Sequence, residues 1–182
     1  MNNKVVHRLY QAFVQRGFSA LRFNFRGVGR SQGIFDRGEG ELSDGAAALD
    51  WLQTYNPNAS SCWVAGFSFG AWIGLQLLMR RPEIDSFIAV APPANMLDFG
   101  FLAPCPASGL IIQGDQDQLV AADSVARLAN KLARQRDIRV SLAVIPGADH
   151  FFQNHLDQLG TAVDRYLAAA SGQRKRAVVA ER

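Results

Sequence analysis

Five short runs, residues 19–25, 62–67, 86–91, 109–113 and 140–145, alternate along this 182-residue chain with segments of helical periodicity. The runs have strand length and are mostly apolar. Between them, Leu42, Ala46 and Leu49 mark a helix that runs to Tyr55, and Val125, Leu128, Ala129 and Leu132 mark another. Residues 68–79 are apolar nearly all round, as in a buried helix. Val6, Leu9, Tyr10 and Phe13 open the chain as an amphipathic helix ended by Gly17, and Leu156, Leu159, Val163, Tyr166 and Leu167 close it. Strands that alternate with helices build a parallel sheet, because a parallel connection must cross back over the sheet. Helices on both faces then bury the strands completely, which is why these runs are continuous rather than alternating. The expected class is therefore α/β, in three layers, with no repeat or linker to divide it.

Charge and composition narrow the function. The net charge of +3 resides in the last eleven residues, where Arg174, Lys175, Arg176 and Arg182 face only Glu181. A neutral body with a basic end reads as one domain over residues 1–170 and a disordered tail over 171–182, not as a nucleic-acid-binding face. No apolar run reaches the ~20 residues that span a bilayer, and residues 1–4 have no apolar leader. These features predict a soluble, cytoplasmic protein without a membrane partner. Cys62 and Cys105 are too far apart for a metal-ligand pattern and read as free thiols, and the three histidines have no zinc spacing.

The junction between the run at 62–67 and the buried helix reads Gly66-Phe67-Ser68-Phe69-Gly70. It has the form G-x-S-x-G between a strand and a buried helix, the context in which this motif presents a nucleophile. A sharp turn pushes the serine hydroxyl out above the sheet, and the glycines let strand and helix approach. The helix that follows aims its N-terminus at the same place, which favours developing negative charge.

A serine hydroxyl needs a base, and the base needs an orienting carboxylate. On a sheet of this kind the order along the chain is Ser, then Asp or Glu, then His. The run at 109–113 ends in Gly114-Asp115-Gln116-Asp117-Gln118-Leu119-Val120, where either aspartate can serve. The run at 140–145 ends in Pro146-Gly147-Ala148-Asp149-His150-Phe151, which places His150 just past a strand end. His7 precedes the serine and His155 opens the last helix, so both read as surface residues.

Residues 21–33 (LRFNFRGVGRSQG), the elbow through Trp72, the loop 114–120 and the segment 146–152 together resemble the small bacterial hydrolases of the α/β-hydrolase superfamily, near its dienelactone-hydrolase-like and serine-esterase branches. The resemblance covers the chain to about Ala170. It implies Ser68 as nucleophile, Asp117 as the acid of a G-x-x-D-x-x-V loop and His150 as the base. Phe69 N–H would be one oxyanion donor. Dienelactone hydrolases carry cysteine at the nucleophile, so serine here points to esterase-like chemistry. No cofactor or metal is implied, and the partner is a small-molecule acyl substrate, with homo-oligomerisation left open. Phe67 and Phe101 are expected to border the substrate. Arg22, Asn24 and Arg26 interrupt the first run and are assigned to salt bridges or loop anchoring.

The family begins with strands that this chain lacks before its first helix. One of them lies between the strand equivalent to residues 19–25 and the elbow strand, and the loop after it supplies the second oxyanion amide. The fold is thus expected to be N-terminally truncated, with Met1 an internal methionine and the second donor upstream or in the Met1–Asn3 backbone. The leading reading is a carboxylesterase-like serine hydrolase that works through an acyl-enzyme. Its rivals are an inactive fragment or scaffold of the same fold, and an acyltransferase using the same triad.

Overall fold

The computed structural model describes the backbone of residues 3–180 and the side chains of residues 3–170. The boundary expected at residue 170 and the basic tail lie outside the described side chains. Helix α1 (Lys4–Gln15) is followed by α2 (Glu39–Thr54). Then come β1 (Trp63–Phe67), α3 (Phe69–Arg80), β2 (Ser86–Val90), a 3-10 turn (Gly100–Leu102), β3 (Ser108–Gly114), α4 (Ala122–Ala133), β4 (Val140–Ile145) and α5 (Leu156–Ala180).

The four strands form one parallel sheet in the order β1-β2-β3-β4. Side chains alternate across it. Phe87, Ala89 and Ile111 join a core under α2, α3 and α4, while Ile88, Val90, Leu110 and Ile112 join a second core under α1 and α5. Strands that follow one another in space as in sequence must cross over on the same face if every crossover is right-handed. That is why α3 and α4 share a face. The other face is left to α1, which buries Val5, Leu9, Ala12 and Phe13, and to α5, which buries Leu159, Val163 and Leu167. This is the expected three-layer α/β arrangement.

One expected strand is absent. Residues 18–25 form no ladder. A strand exists only through a neighbour, and a largely apolar cleft of about 1290 Å³ separates this segment from β1, lined by Ala20 and Phe25 on one side and Val64 and Ala65 on the other. The outer edge of β1 has no partner strand among the described residues. That gap lies where the resemblance sets an additional strand.

The segment is held by side chains instead. Phe18 packs edge-on against Phe13 and Trp63, with ring centroids 5.1 and 6.0 Å apart. Arg22 lies over the Tyr10 ring at 5.3 Å. Arg26 anchors the loop that follows: its amide donates to Asp44 Oδ2 (2.9 Å), and its guanidinium meets the same carboxylate through Nε (3.1 Å) and Nη2 (2.8 Å). Buried Glu41 accepts from the amides of Asp36 and Gly38 at 2.9 and 2.8 Å, which fixes the loop onto the start of α2. The anchoring role assigned to Arg26 therefore has its partner in Asp44.

The hydrogen bond from Arg26 holds the Asp44 carboxyl below its ordinary range. A carboxyl lowered by folding contributes stability that is complete above its ordinary range and is lost as pH falls through the lowered value. Acid titration of the Arg26 amide, followed by NMR, should show its transition below the ordinary carboxylate range. The transition should vanish in Asp44→Asn. A midpoint at or above that range contradicts the pairing.

Candidate active site

Ser68 closes β1 and opens α3 with φ 51° and ψ −120°, a conformation that non-glycine residues rarely hold. Two contacts maintain it. Ser68 N–H donates to Val90 O at 2.8 Å, extending the β1–β2 ladder by one residue. The turn is so tight that a Cβ on Gly66 would strike the Gly70 carbonyl. The glycine is therefore a steric requirement of the elbow. The next residue, Phe69, opens α3, so its N–H has no acceptor within the helix.

The loops after β3 and β4 meet above the same sheet edge. Gly114 makes this possible, since a Cβ there would strike the Ala148 carbonyl. Gln116 N–H donates to Ala148 O (3.1 Å), and Gly147 N–H donates to Asp115 Oδ1 (2.7 Å). These bonds tie the aspartate loop to the histidine loop. Asp115 is thus a brace, and Asp117 faces His150.

His150 Nδ1 lies 2.7 Å from Asp117 Oδ2, and His150 Nε2 lies 3.1 Å from Ser68 Oγ. A carboxylate can only accept, so the bonded Nδ1 carries the proton and Nε2 is left to accept from the serine hydroxyl. Both His150 and Asp117 are buried, with relative exposures of 6% and 9%. The Asp117 carboxylate takes two further bonds at Oδ1, from Leu119 N–H and Val120 N–H, each at 2.8 Å. The hydrogen-bonded chain runs in a single direction from hydroxyl to carboxylate. Such an array can withdraw a proton from Ser68 at the moment its oxygen attacks.

Of the other residues singled out in the sequence, Phe67 packs 5.0 Å from the His150 ring. Phe101 does not join this group. It sits on the 3-10 turn, 6.0 Å from Phe99, against the core beneath α3. His7 stacks on Tyr10 along α1. The Met1–Asn3 donor falls partly on residues outside the described ones, and Asn3 itself caps α1 by accepting from Val6 N–H at 3.1 Å. Cys62 and Cys105 are free, and neither offers a ready thiolate: burial pushes the Cys62 thiol up to about 11 and raises that of Cys105 as well. Among the described residues no group of three His, Cys, Asp or Glu could hold a metal, and no helix is long and apolar enough to cross a membrane.

Sequence reasoning missed three neighbours of the site. Phe151 packs edge-on to His150 at 5.1 Å and lies 6.2 Å from Phe67. Phe35 projects from the loop fixed by Arg26 and covers Phe69 at 5.7 Å. Gln113 lies buried behind Asp117. The adjacency of Phe151 to His150 was a usable signal, whereas nothing local ties Phe35 to the elbow.

With the geometry in hand, comparison with known proteins is informative. The family described as X-Pro dipeptidyl-peptidase (S15 family) matches residues 1–177. The uncharacterised protein RP471 of Rickettsia prowazekii is 54% identical over 171 residues, which cover 92% of this chain and 72% of that protein. ATU1826 of Agrobacterium tumefaciens, a protein of unknown function and candidate α/β hydrolase, superposes with a TM-score of 0.92 at 54% identity, covering 95% of this chain and 79% of its own. XC6422 of Xanthomonas campestris, a serine hydrolase without a lid, superposes with a TM-score of 0.82 at 37% identity, covering 91% and 72%.

The two aspartates of the loop after β3 are separable by experiment. In Asp117→Asn the rate at which a fluorophosphonate labels Ser68 should fall by about 10³–10⁴-fold, since the amide can favour the wrong imidazole tautomer. Asp115→Asn should slow labelling far less. The opposite ranking, measured by mass spectrometry over time, would transfer the role to Asp115.

Proposed function

The chain belongs to the X-Pro dipeptidyl-peptidase (S15) family of α/β serine hydrolases, and from that premise we propose that it cleaves carboxylic esters, thioesters or related acyl compounds through an acyl-enzyme on Ser68. The observation that carries this reading is the unbroken chain from Ser68 Oγ through His150 to Asp117, at 3.1 and 2.7 Å.

Ser68 Oγ attacks the carbonyl carbon while its proton passes to His150 Nε2. Asp117 stabilises the imidazolium and keeps the ring in register. The carbonyl oxygen, now an anion, takes the Phe69 N–H and the positive end of α3. His150 then gives its proton to the leaving oxygen or sulfur, and the alcohol or thiol departs. Water attacks the acyl group with His150 again as base, so that the acid leaves and Ser68 regains its proton. Phe67, Phe151 and Phe35 supply an apolar surround for the acyl compound. Phe101, half-buried, packs against the core beside Phe99.

The family match favours a second reading, cleavage of a peptide after an X-Pro pair. A dipeptidyl peptidase must also hold the free ammonium of its substrate. Asp98, Asp115 and Asp149 stand on the loops at this edge, each with one oxygen bound to a backbone N–H, of Gly100, Gly147 and Gln153. The aromatic surround of Phe67, Phe151 and Phe35 is what favours an ester over a peptide.

The protein should hydrolyse p-nitrophenyl acetate faster than Gly-Pro-p-nitroanilide, and should lose the activity by several orders of magnitude in Ser68→Ala. Undiminished turnover in Ser68→Ala would defeat the reading. Preference for the anilide would replace the esterase with the peptidase.

A further inference from the structure

We infer that Gln113 is a positioning residue for the proposed hydrolysis: its side-chain amide fixes the Asp117 carboxylate against His150 from behind. The inference rests on the reading of Ser68, His150 and Asp117 given above and extends it to a residue of the sheet itself.

Gln113 lies in β3, whose sequence is SGLIIQG, and is only 1% exposed. Its Nε2 is 3.1 Å from Asp117 Oδ2, 3.1 Å from Val120 O and 3.2 Å from Gly114 O. Three oxygens around one nitrogen dictate which way the amide faces. Turned over, the side chain would bring its own oxygen against three acceptors. Gln113 Oε1 therefore points away, buried and without a hydrogen-bond partner among the described residues. A buried amide oxygen left unpaired is costly, and an apolar residue of similar length would avoid that cost in a strand otherwise made of glycine, leucine, isoleucine and a terminal serine. The amide also donates to two backbone carbonyls, but only its bond to Asp117 reaches the proposed reacting array.

That bond completes the carboxylate. Oδ1 accepts from Leu119 N–H and Val120 N–H, and Oδ2 accepts from His150 and Gln113. The two backbone amides hold Oδ1, and Gln113 gives Oδ2 a second partner beside His150, so that each oxygen is held from two sides. Because β3 lies in the interior of the sheet, the restraint is tied to the most rigid part of the fold, whereas Asp117 itself sits on a loop. The groups facing the carboxylate are thus Gln113 from β3, two amides of its own loop and His150 from the loop after β4. Asp115 and Asp149 are directed to Gly147 N–H and Gln153 N–H.

Two variants test this. Gln113→Leu removes the donor and keeps the bulk. Its kcat on p-nitrophenyl acetate should fall about tenfold at unchanged KM, through the loss of one hydrogen bond to the carboxylate of the reacting array. The far-downfield proton resonance of His150 Nδ1–H should shift or broaden, a change that a loss of stability alone does not produce. Gln113→Glu places a carboxyl against Asp117. While protonated it can donate to Oδ2 in place of the amide, and activity at low pH should approach that of the parent. As the introduced group ionises, two carboxylates face each other, and kcat should fall with rising pH where the parent's does not.

Folded variants that keep the parent's kcat, pH profile and resonance would overturn the inference. So would a change confined to KM, or the failure of both variants to fold, which would make Gln113 a structural residue. The resonance separates the two levels of the argument. If Ser68 in the parent resists fluorophosphonate but the resonance still moves in Gln113→Leu, the hydrolase reading fails and the positioning role stands.

Discussion

Ser68 can occupy its conformation only because β1 and α3 approach more closely than any side chain at Gly66 would allow. Everything functional in the fold follows from that approach. It turns the hydroxyl outward at a strand end and starts a helix directly behind it, whose first amide, that of Phe69, has no acceptor within the helix. The strain is held by the ladder bond from Ser68 N–H to Val90 O. An unfavourable backbone conformation is thus secured by the same sheet that forms the core.

The second contact of this kind, Gly114 against the Ala148 carbonyl, brings the two remaining partners together. Neither Asp117 nor His150 is adjacent to Ser68 in sequence, and both sit on loops. Their accuracy comes from bracing. Asp115 and Gln116 bind one loop to the other, two backbone amides hold Asp117 Oδ1, and Gln113 reaches out of β3 to hold Oδ2. A loop pinned at this many points behaves as part of the rigid scaffold and can align a proton path.

The parts of this architecture visible in the sequence are those governed by local rules. Each of β1 to β4 is a short apolar run, and each helix has its period, so the order of elements and their class could be read directly. A motif and a chain order named Ser68 and His150, the resemblance chose Asp117 over Asp115, and the structure brings His150 within hydrogen-bond distance of both Ser68 and Asp117. Residues 18–25 misled because strand-like composition does not create a ladder when no neighbour lies alongside. Phe101, half-buried on the 3-10 turn, has its ring neighbour in Phe99, a pairing that no local pattern shows. Gln113 was passed over as a polar residue ending a strand. Its significance depends on three oxygens contributed by residues further along the chain, which no local pattern shows.

The layout of the two faces also bears on how the molecule is made. Helix α1 packs on α5, and the ion pairs that join them, Arg8 and Arg16 to Asp164, span 156 and 148 residues. At ribosomal speeds of about 5–20 residues per second, α1 emerges roughly 8–30 seconds before its partner. During that interval Val5, Leu9, Ala12 and Phe13 have no finished surface to rest on. The face beneath α2, α3 and α4 can assemble from segments close in sequence, while the face carrying α1 must wait for the last helix. The face carrying α1 is thus closed by contacts between segments at opposite ends of the described residues, whereas the other face is built from neighbours in sequence.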